Sequence, residues 1–260
     1  MQTNTIGFIG GGRITKIFLH AWANKEIIWL SVLVYDTNLE VLNALKKQFP
    51  KIQITDSCEL AAKQDVIFIA LHPPVIMETL EQIRETVSKN ALVVSLAPKI
   101  SIENFGSKLA TKNIARMIPN ATSYFNLGFN PICFANGIDE SLKTSILEML
   151  EVLGNTFETD EKKLEPYAIA SAMLPTYFWF QWREMELIAK EMGLTQKESR
   201  DAIYETLKAS LELMYNRNLS YEEVTDLIPI KPIQENEAEI KDILNTILLG
   251  LFNKIKPLSK

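Results

Sequence analysis

The chain has 260 residues, 47% of them hydrophobic and 23% charged, the composition of a globular protein long enough for one large domain or two modest ones. A net charge of −5 argues against a nucleic-acid partner or an anionic membrane surface, both of which select basic faces. Cys58 and Cys133 stand far apart, outside any CxxC or Cys/His pattern, so neither a disulfide framework nor a metal site is expected. The opening MQTNTIGFIGGG has no basic stretch followed by an apolar core. Apolar runs are broken by charges well before the roughly 20 residues of a membrane span. The expectation is a cytoplasmic protein without membrane contact, acting on a small molecule.

Up to about residue 135, short β-branched runs alternate with helical spacing. Strands are expected over 5–9, 31–35, 52–55, 65–71, 91–96, 114–117 and 131–135, and helices over 14–23, 39–48, 74–88 and 102–110. VIFIAL and LVVSL are apolar on both faces, as strands covered by helices on either side must be. The alternation predicts an α/β fold, a Rossmann-type doubly wound parallel sheet. After Gly137 the pattern turns helical, over 142–153, 164–192, 196–216, 221–227 and 235–255. This sets a dinucleotide-binding domain over 1–157 and a smaller all-helical domain over 158–260, with the edge in Gly-Asn-Thr-Phe-Glu-Thr-Asp. The stretch IASAMLPTYFWFQW is apolar nearly all round, and so small a domain has little interior for it. A second copy is expected to cover it, making this the dimerisation domain of a homodimer.

Gly10-Gly11-Gly12-Arg13-Ile14-Thr15 follows an apolar strand and opens a helix. Gly10 permits the tight turn, and Gly12 has no side chain to block a diphosphate seated at the helix N-terminus. Thr15 stands where the pattern has a third small residue and is expected to loosen helix–strand packing slightly. The next strand ends in Asp36, in register to accept hydrogen bonds from the adenosine ribose hydroxyls. A carboxylate there favours NAD over NADP, although Thr37, Asn38 and Arg13 could meet a phosphate. The other reading of Asp36 is a loop cap. Further along, Ala70-Leu71-His72-Pro73 and Ser95-Leu96-Ala97-Pro98-Lys99 end two more strands, at the edge where ligands bind in open α/β sheets. His72 is a candidate to meet the cofactor ribose or donate a proton, or else a plain loop histidine. His20 lies in an apolar helical stretch and reads as packing.

Taken in chain order, these segments resemble the pyrroline-5-carboxylate reductase family, which reduces a cyclic imine to make proline. GFIGGGRIT resembles the family's GFIGxGxMA. DVIFIALHP resembles DVVxLAVKP, with His72 in place of the lysine. VVSLAPKISIENF resembles VVSIAAGISxxxL, with Pro98 and Lys99 in place of alanine and glycine. ARMIPN resembles RxMPN through Arg116, Pro119 and Asn120. VLGNTFETDEKKLEPYAIAS and the helices beyond it also correspond. The resemblance implies NAD or NADP as cofactor, held at Ile9, Gly10, Gly11, Gly12, Arg13, Ile14, Asp36, Ser57, Ala70, Leu71, His72, Pro73 and Ala97. It implies a helical second domain that dimerises by intertwining its helices, with Asn120 and Pro175 on the substrate side.

Departures gather on that side. The family's GSGPAY is AMLPTY here, with Met173 and Leu174 for two small residues. Its SPGGTT loop grips the substrate carboxylate through backbone N–H groups and a hydroxyl, whereas residues 226–235 read DLIPIKPIQE. Glycine loops expose N–H groups to anions; prolines have none to give. Lys231 is the candidate replacement charge, or simply a solvated loop lysine.

Hydride transfer to a protonated C=N bond requires position and dryness more than protein acids, so the lack of a nucleophilic triad does not count against it. Pro175 is expected inside a long helix, kinking it so that Thr176 or Tyr177 offers a hydroxyl to the substrate; the alternative is a bend in a packed helix. The leading expectation is an NAD(P)H-dependent reductase of a small imine or carbonyl compound. Alternatives are a deazaflavin F420-dependent or hydroxyacid-dehydrogenase-like oxidoreductase and a non-catalytic dinucleotide sensor. Residues 168–181 contain no lysine, which counts against the hydroxyacid enzymes.

Overall fold

A computed structural model of the chain describes residues 4–257. Two compact units emerge, one running to Ala172 and rejoined by the chain from Phe252, the other Met173–Leu251.

In the first unit the elements are β1 (Thr5–Ile9), α1 (Arg13–Asn24), β2 (Ser31–Tyr35), α2 (Leu39–Gln48), β3 (Gln53–Thr55), α3 (Cys58–Ala61), β4 (Val66–Ile69), α4 (Pro73–Ile83), β5 (Leu92–Ser95) and α5 (Ile102–Gly106). They are followed by β6 (Ile114–Met117), β7 (Gly128–Phe134), α6 (Glu140–Leu150), β8 (Gly154–Glu158) and α7 (Leu164–Tyr167). All eight strands form one sheet, in the order β3-β2-β1-β4-β5-β6-β7-β8. Period-2 alternation sends Phe8, Phe68 and Val94 to one apolar layer and Ile9, Ile67, Ile69 and Val93 to the other, so both faces are buried under helices. Phe8 and Phe68 stack across β1 and β4 with ring centroids 4.9 Å apart.

Two features correct the sequence reading. The sheet is mixed, because β7 runs antiparallel to β6. A parallel return needs a crossover of a dozen residues or more, and residues 118–127 supply only the 3₁₀ turn Ala121–Phe125. In addition, Gly154–Glu158, where the sequence reading set a domain edge, is a strand pairing in parallel with β7. Its GNTFE sequence has little alternation to betray it. Pairing depends on Gly154, at φ +121°, where a Cβ would lie 2.3 Å from the Gly128 nitrogen.

Arg116 on β6 is almost wholly buried, donating from Nη2 to Glu165 at 2.5 Å and from Nη1 to Glu161 at 2.8 Å. Glu161 also accepts the Ile102 N–H at 2.7 Å. One guanidinium thus ties β6 to α5 and α7. Burial opposes its charge, but Glu165, backed by Glu161, more than offsets this and raises its pKa.

The second unit contains α8 (Leu174–Glu191), α9 (Gln196–Tyr215), α10 (Tyr221–Asp226) and most of α11 (Glu237–Ile255). Capping boxes start α9 (Thr195/Glu198) and α10 (Ser220/Glu223). No hydrophobic side chain of residues 173–251 is buried; only Glu186 and Ser199 are. The long helix expected over 164–192 is interrupted. After α7 the chain makes a π-helical turn, Ala168–Ala172, and α8 starts afresh with Pro175 as its second residue. There the missing N–H is one that a helix start leaves unbonded anyway, so Pro175 opens a helix rather than kinking one. Among the described residues, no helix is long and apolar enough to cross a membrane.

Removing one partner of a buried pair leaves an uncompensated charge. Glu165→Gln is therefore expected to lower the stability of the first unit by about 3 kcal/mol, read as a lower urea midpoint with an unchanged slope.

Candidate functional site

Parallel register sets the site. Tyr35, Ile9 and Ile69 pair in a row across β2, β1 and β4, and Ile69 pairs with Ser95 of β5. The ladder runs one residue further, through Gly10 N–H to Tyr35 O (2.8 Å), Ala70 N–H to Ile9 O (2.8 Å) and Leu96 N–H to Ile69 O (3.1 Å). The turns carrying Asp36, Gly10, Ala70 and Leu96 therefore leave the sheet side by side at its carboxyl edge, where open α/β sheets bind ligands.

Gly10 has φ +106°, and a Cβ on it would lie 2.4 Å from the Ala70 carbonyl oxygen. Only glycine lets these two turns approach so closely. Gly11 is buried against Val41 and Leu45. A Cβ on Gly12, by contrast, would meet nothing within 4 Å. Gly12 caps α1 without a side-chain hydrogen bond, and the first turn of α1 holds no acid. Arg13 and Lys16 add exposed positive charge there. The result is an open, cationic helix start with no side chain in the way, which fits a diphosphate. Ile9 is buried beneath it and Ile14 half-buried beside it.

Thr15 departs from the expectation. Its side chain is fully buried, and its hydroxyl donates to Gly10 O at 2.5 Å. Instead of loosening the packing, the threonine pins the turn. Burial of the hydroxyl would be costly without that partner, and the sequence alone does not show that a carbonyl waits for it.

Asp36 is half-buried. Its Oδ2 accepts the Gly11 N–H at 2.7 Å and its Oδ1 the Asn38 N–H at 2.8 Å. It both braces the glycine turn and presents a carboxylate at the end of β2. Each oxygen keeps further acceptor capacity, so loop cap and ribose acceptor are compatible roles. Asn38 itself caps α2, accepting from Glu40 and Val41 N–H groups.

Ser57 caps the short α3, accepting the Leu60 N–H and donating to Glu59. Glu59 is held down to about 2 by Gln82, by its own backbone and by Ser57. Leu71 and Pro73 are half-buried, and His72 is exposed as the N-cap of α4. Ala97 is buried, with its N–H 3.4 Å from Ser95 Oγ. Ile9, Gly10, Gly11, Gly12, Arg13, Ile14, Asp36, Ala70, Leu71, His72, Pro73 and Ala97 thus share one edge. His20, read as packing, lies half-buried between Phe49 and Tyr124, 3.9 Å from the latter ring, and burial and then Lys16 lower its pKa.

Of the residues expected on a substrate side, Asn120 is buried and holds structure. Its Oδ1 accepts from the N–H and hydroxyl of Thr122, and its Nδ2 donates to Ser171 O at 3.3 Å. Pro175, Thr176 and Tyr177 belong to the start of α8 in the second unit. The Thr176 hydroxyl donates to Met173 O at 2.7 Å. Tyr177 is half-buried, and that burial raises its pKa, so it remains a neutral phenol at physiological pH. Lys231 is exposed in the loop after α10, among the exposed Ile228, Ile230 and Ile233. Sequence reasoning missed the backbone of Lys99, which takes φ +76°. The available signal was a lysine where the resembling motif has glycine.

A family model described as coenzyme F420-dependent NADP oxidoreductase matches residues 5–99, from β1 to the turn after β5. A pyrroline-5-carboxylate reductase of Corynebacterium melassecola is 22% identical over 252 residues, covering 95% of this chain and 93% of that protein. The crystal structure of a Plasmodium falciparum pyrroline carboxylate reductase with NADP bound superposes with a TM-score of 0.84 at 19% identity, covering 98% of both chains. The 1-pyrroline-5-carboxylate reductase of Streptococcus pyogenes gives 0.85 at 15% identity, covering 98% of this chain and 99% of that one. The structural likeness establishes the fold, a mostly parallel eight-stranded sheet followed by helices. Over nearly its whole length the chain is also similar in sequence, at 22% identity, to a pyrroline-5-carboxylate reductase.

Proposed function

We propose that this protein is an NAD(P)H-dependent reductase that passes a hydride to the C=N or C=O carbon of a small substrate, with a cyclic imine of the pyrroline-5-carboxylate type as first choice. The observation that carries the reading is the open Gly12 beneath an uncapped, acid-free start of α1. The dinucleotide supplies the hydride. Arg13 and the first-turn amides of α1 hold the diphosphate, and Asp36 takes the adenosine ribose. Ala70, Leu71, His72, Pro73 and Ala97 line the way toward the nicotinamide, with Ser57 on the adenosine side. Tyr177, a phenol whose pKa burial raises further, and Thr176 are the hydroxyl donors we assign to the substrate. Asn120 fixes its turn and Pro175 the start of α8 on the substrate side, and Lys231 is the cation offered to an anionic group. Proline biosynthesis in the cytoplasm is the setting this activity implies.

A second reading has its own support. The 226–235 segment, with Pro229 and Pro232 and no glycine, offers few N–H groups to a carboxylate, as expected of a dinucleotide-responsive protein without turnover. Following NADPH and NADH oxidation with pyrroline-5-carboxylate and other imines separates the two, since the sensor binds dinucleotide without consuming it.

The second unit supports a homodimer. Helices without a single buried hydrophobic side chain cannot hold themselves together in water. Trp179, Phe180, Ile243, Ile247 and Leu249 are each more than half exposed, and large exposed apolar surface is what a subunit interface covers. Light scattering after gel filtration should return the mass of two chains at micromolar concentration; a monomer with intact helicity would refute the dimer.

Two substitutions test the cofactor site. Gly12→Val adds a side chain where the fold has space, so the melting temperature should hold while NAD(P)H affinity falls about tenfold or more. Asp36→Asn retains an acceptor for the Gly11 N–H but removes the charge. It should shift the NADH-to-NADPH affinity ratio toward NADPH by about tenfold, measured by fluorescence titration of both cofactors.

A further inference from the structure

Among the described residues, three other than glycine adopt positive φ: Glu26, Lys99 and Asn126. Asn126 is the residue type that tolerates this region, and its side chain is repaid by bonds to Ala21 O and Val152 O. Glu26 is exposed just past the end of α1, on the amino edge of the sheet and away from the ligand edge. Lys99 is different. It is an exposed cation in a strained backbone conformation, in the turn that leaves the carboxyl end of β5. Strain retained at a ligand edge is a pointer to function.

Its neighbour sharpens the point. β4 and β5 are paired through Ile69 and Ser95, so the His72 and Lys99 turns emerge on adjacent strands. In the motifs that this chain resembles, the β4 turn carries a lysine and the β5 turn a glycine. Here the β4 turn carries His72 and the β5 turn Lys99. The lysine has moved over by one strand, and the backbone still has the conformation suited to glycine. Strands are ~4.8 Å apart, so the β5 turn stands about 10 Å from the Gly10 turn along the sheet. That sets the end of β5 to the side of the diphosphate at α1 on which the nicotinamide would lie. The anion left to be met there is a carboxylate on the molecule being reduced, for which residues 226–235 offer no glycine loop.

We propose that Lys99 is a specificity-determining residue, receiving the substrate carboxylate in place of the glycine loop that residues 226–235 lack. The inference rests on the reductase reading above and names the substrate class as a small monocarboxylate.

The test uses the full chain loaded with NADP⁺, with L-proline and pyrrolidine as ligands differing by the carboxylate, titrated calorimetrically. Three proteins are compared: the parent, Lys99→Gly, and Lys99→Gly combined with His72→Lys. In Lys99→Gly, proline affinity should fall about tenfold, as for loss of a charged contact. Pyrrolidine affinity should hold, and the melting temperature should stay or rise because the strain is relieved. Returning the lysine to the β4 turn should restore most of the proline affinity. Where turnover is seen, KM for pyrroline-5-carboxylate should follow the same order while that for uncharged pyrroline does not. Proline affinity within about twofold of the parent in Lys99→Gly overturns the proposal. So does a parent indifferent to the carboxylate, an equal loss for both ligands, a failure of His72→Lys to rescue, or a loss of cofactor affinity in place of proline affinity, which would give Lys99 to a cofactor phosphate. Dinucleotide affinity of the parent is measured separately. If it binds neither NADPH nor NADH, the reductase reading falls; if it binds them and ignores proline, only the role of Lys99 does.

Discussion

The parallel register of β2, β1, β4 and β5 is the constraint on which the rest of this molecule depends. Because Tyr35, Ile9, Ile69 and Ser95 stand in one row, four turns that are distant in sequence leave the sheet together. Register here is enforced by burial on both faces, since a one-residue slip would exchange every side chain between the two apolar layers. The close approach of Gly10 to the Ala70 carbonyl follows from that row. The Thr15 hydroxyl and the Asp36 carboxylate then brace the glycine turn from below and from the side. The site is rigid because the sheet is, and its open part is confined to Gly12 and the start of α1.

The two units differ in how they are stabilised. The first has a double apolar layer and a buried guanidinium between two carboxylates, a pair that specifies geometry at a large desolvation cost. The second has capped helices, surface ion pairs such as Lys197–Asp201 and Glu237–Lys241, and no hydrophobic interior of its own. Capping and surface pairs each contribute about 1 kcal/mol or less, far short of what ordering so many residues costs. The proposed second copy would supply the missing interior.

The two ends of the proposed site have diverged unequally. At the dinucleotide end the glycine turn and Asp36 keep the pattern of the resembling motifs, with departures at Thr15 and His72. Elsewhere Leu174 and Lys99 stand where the resembling motifs have glycine and Met173 where they have serine, and prolines and isoleucines fill residues 226–235. Fold and cofactor chemistry place strict demands on backbone approach, whereas substrate recognition can be met by any suitably placed charge. A lysine displaced to a neighbouring turn fits that distinction.

Local pattern was enough for the elements whose identity depends on their own residues. β1, β2 and β6 occupy the spans expected from apolar runs, α2 the span expected from helical spacing and its Asn38 cap, and the glycine turn its strand–turn–helix context. What depends on partners was out of reach. The strand at Gly154–Glu158 exists because Gly128 admits it, and β7 reverses because its connection is too short to cross over. Glu161 and Glu165 are ion-paired only because the fold brings Arg116 to them across about 45 residues of chain, and Thr15 tightens its turn only because Gly10 O lies above it. A sequence displays the propensities and the spacing of one segment. Which carbonyl, carboxylate or backbone meets a side chain from far along the chain is set by close packing, and that is a property of the folded molecule alone.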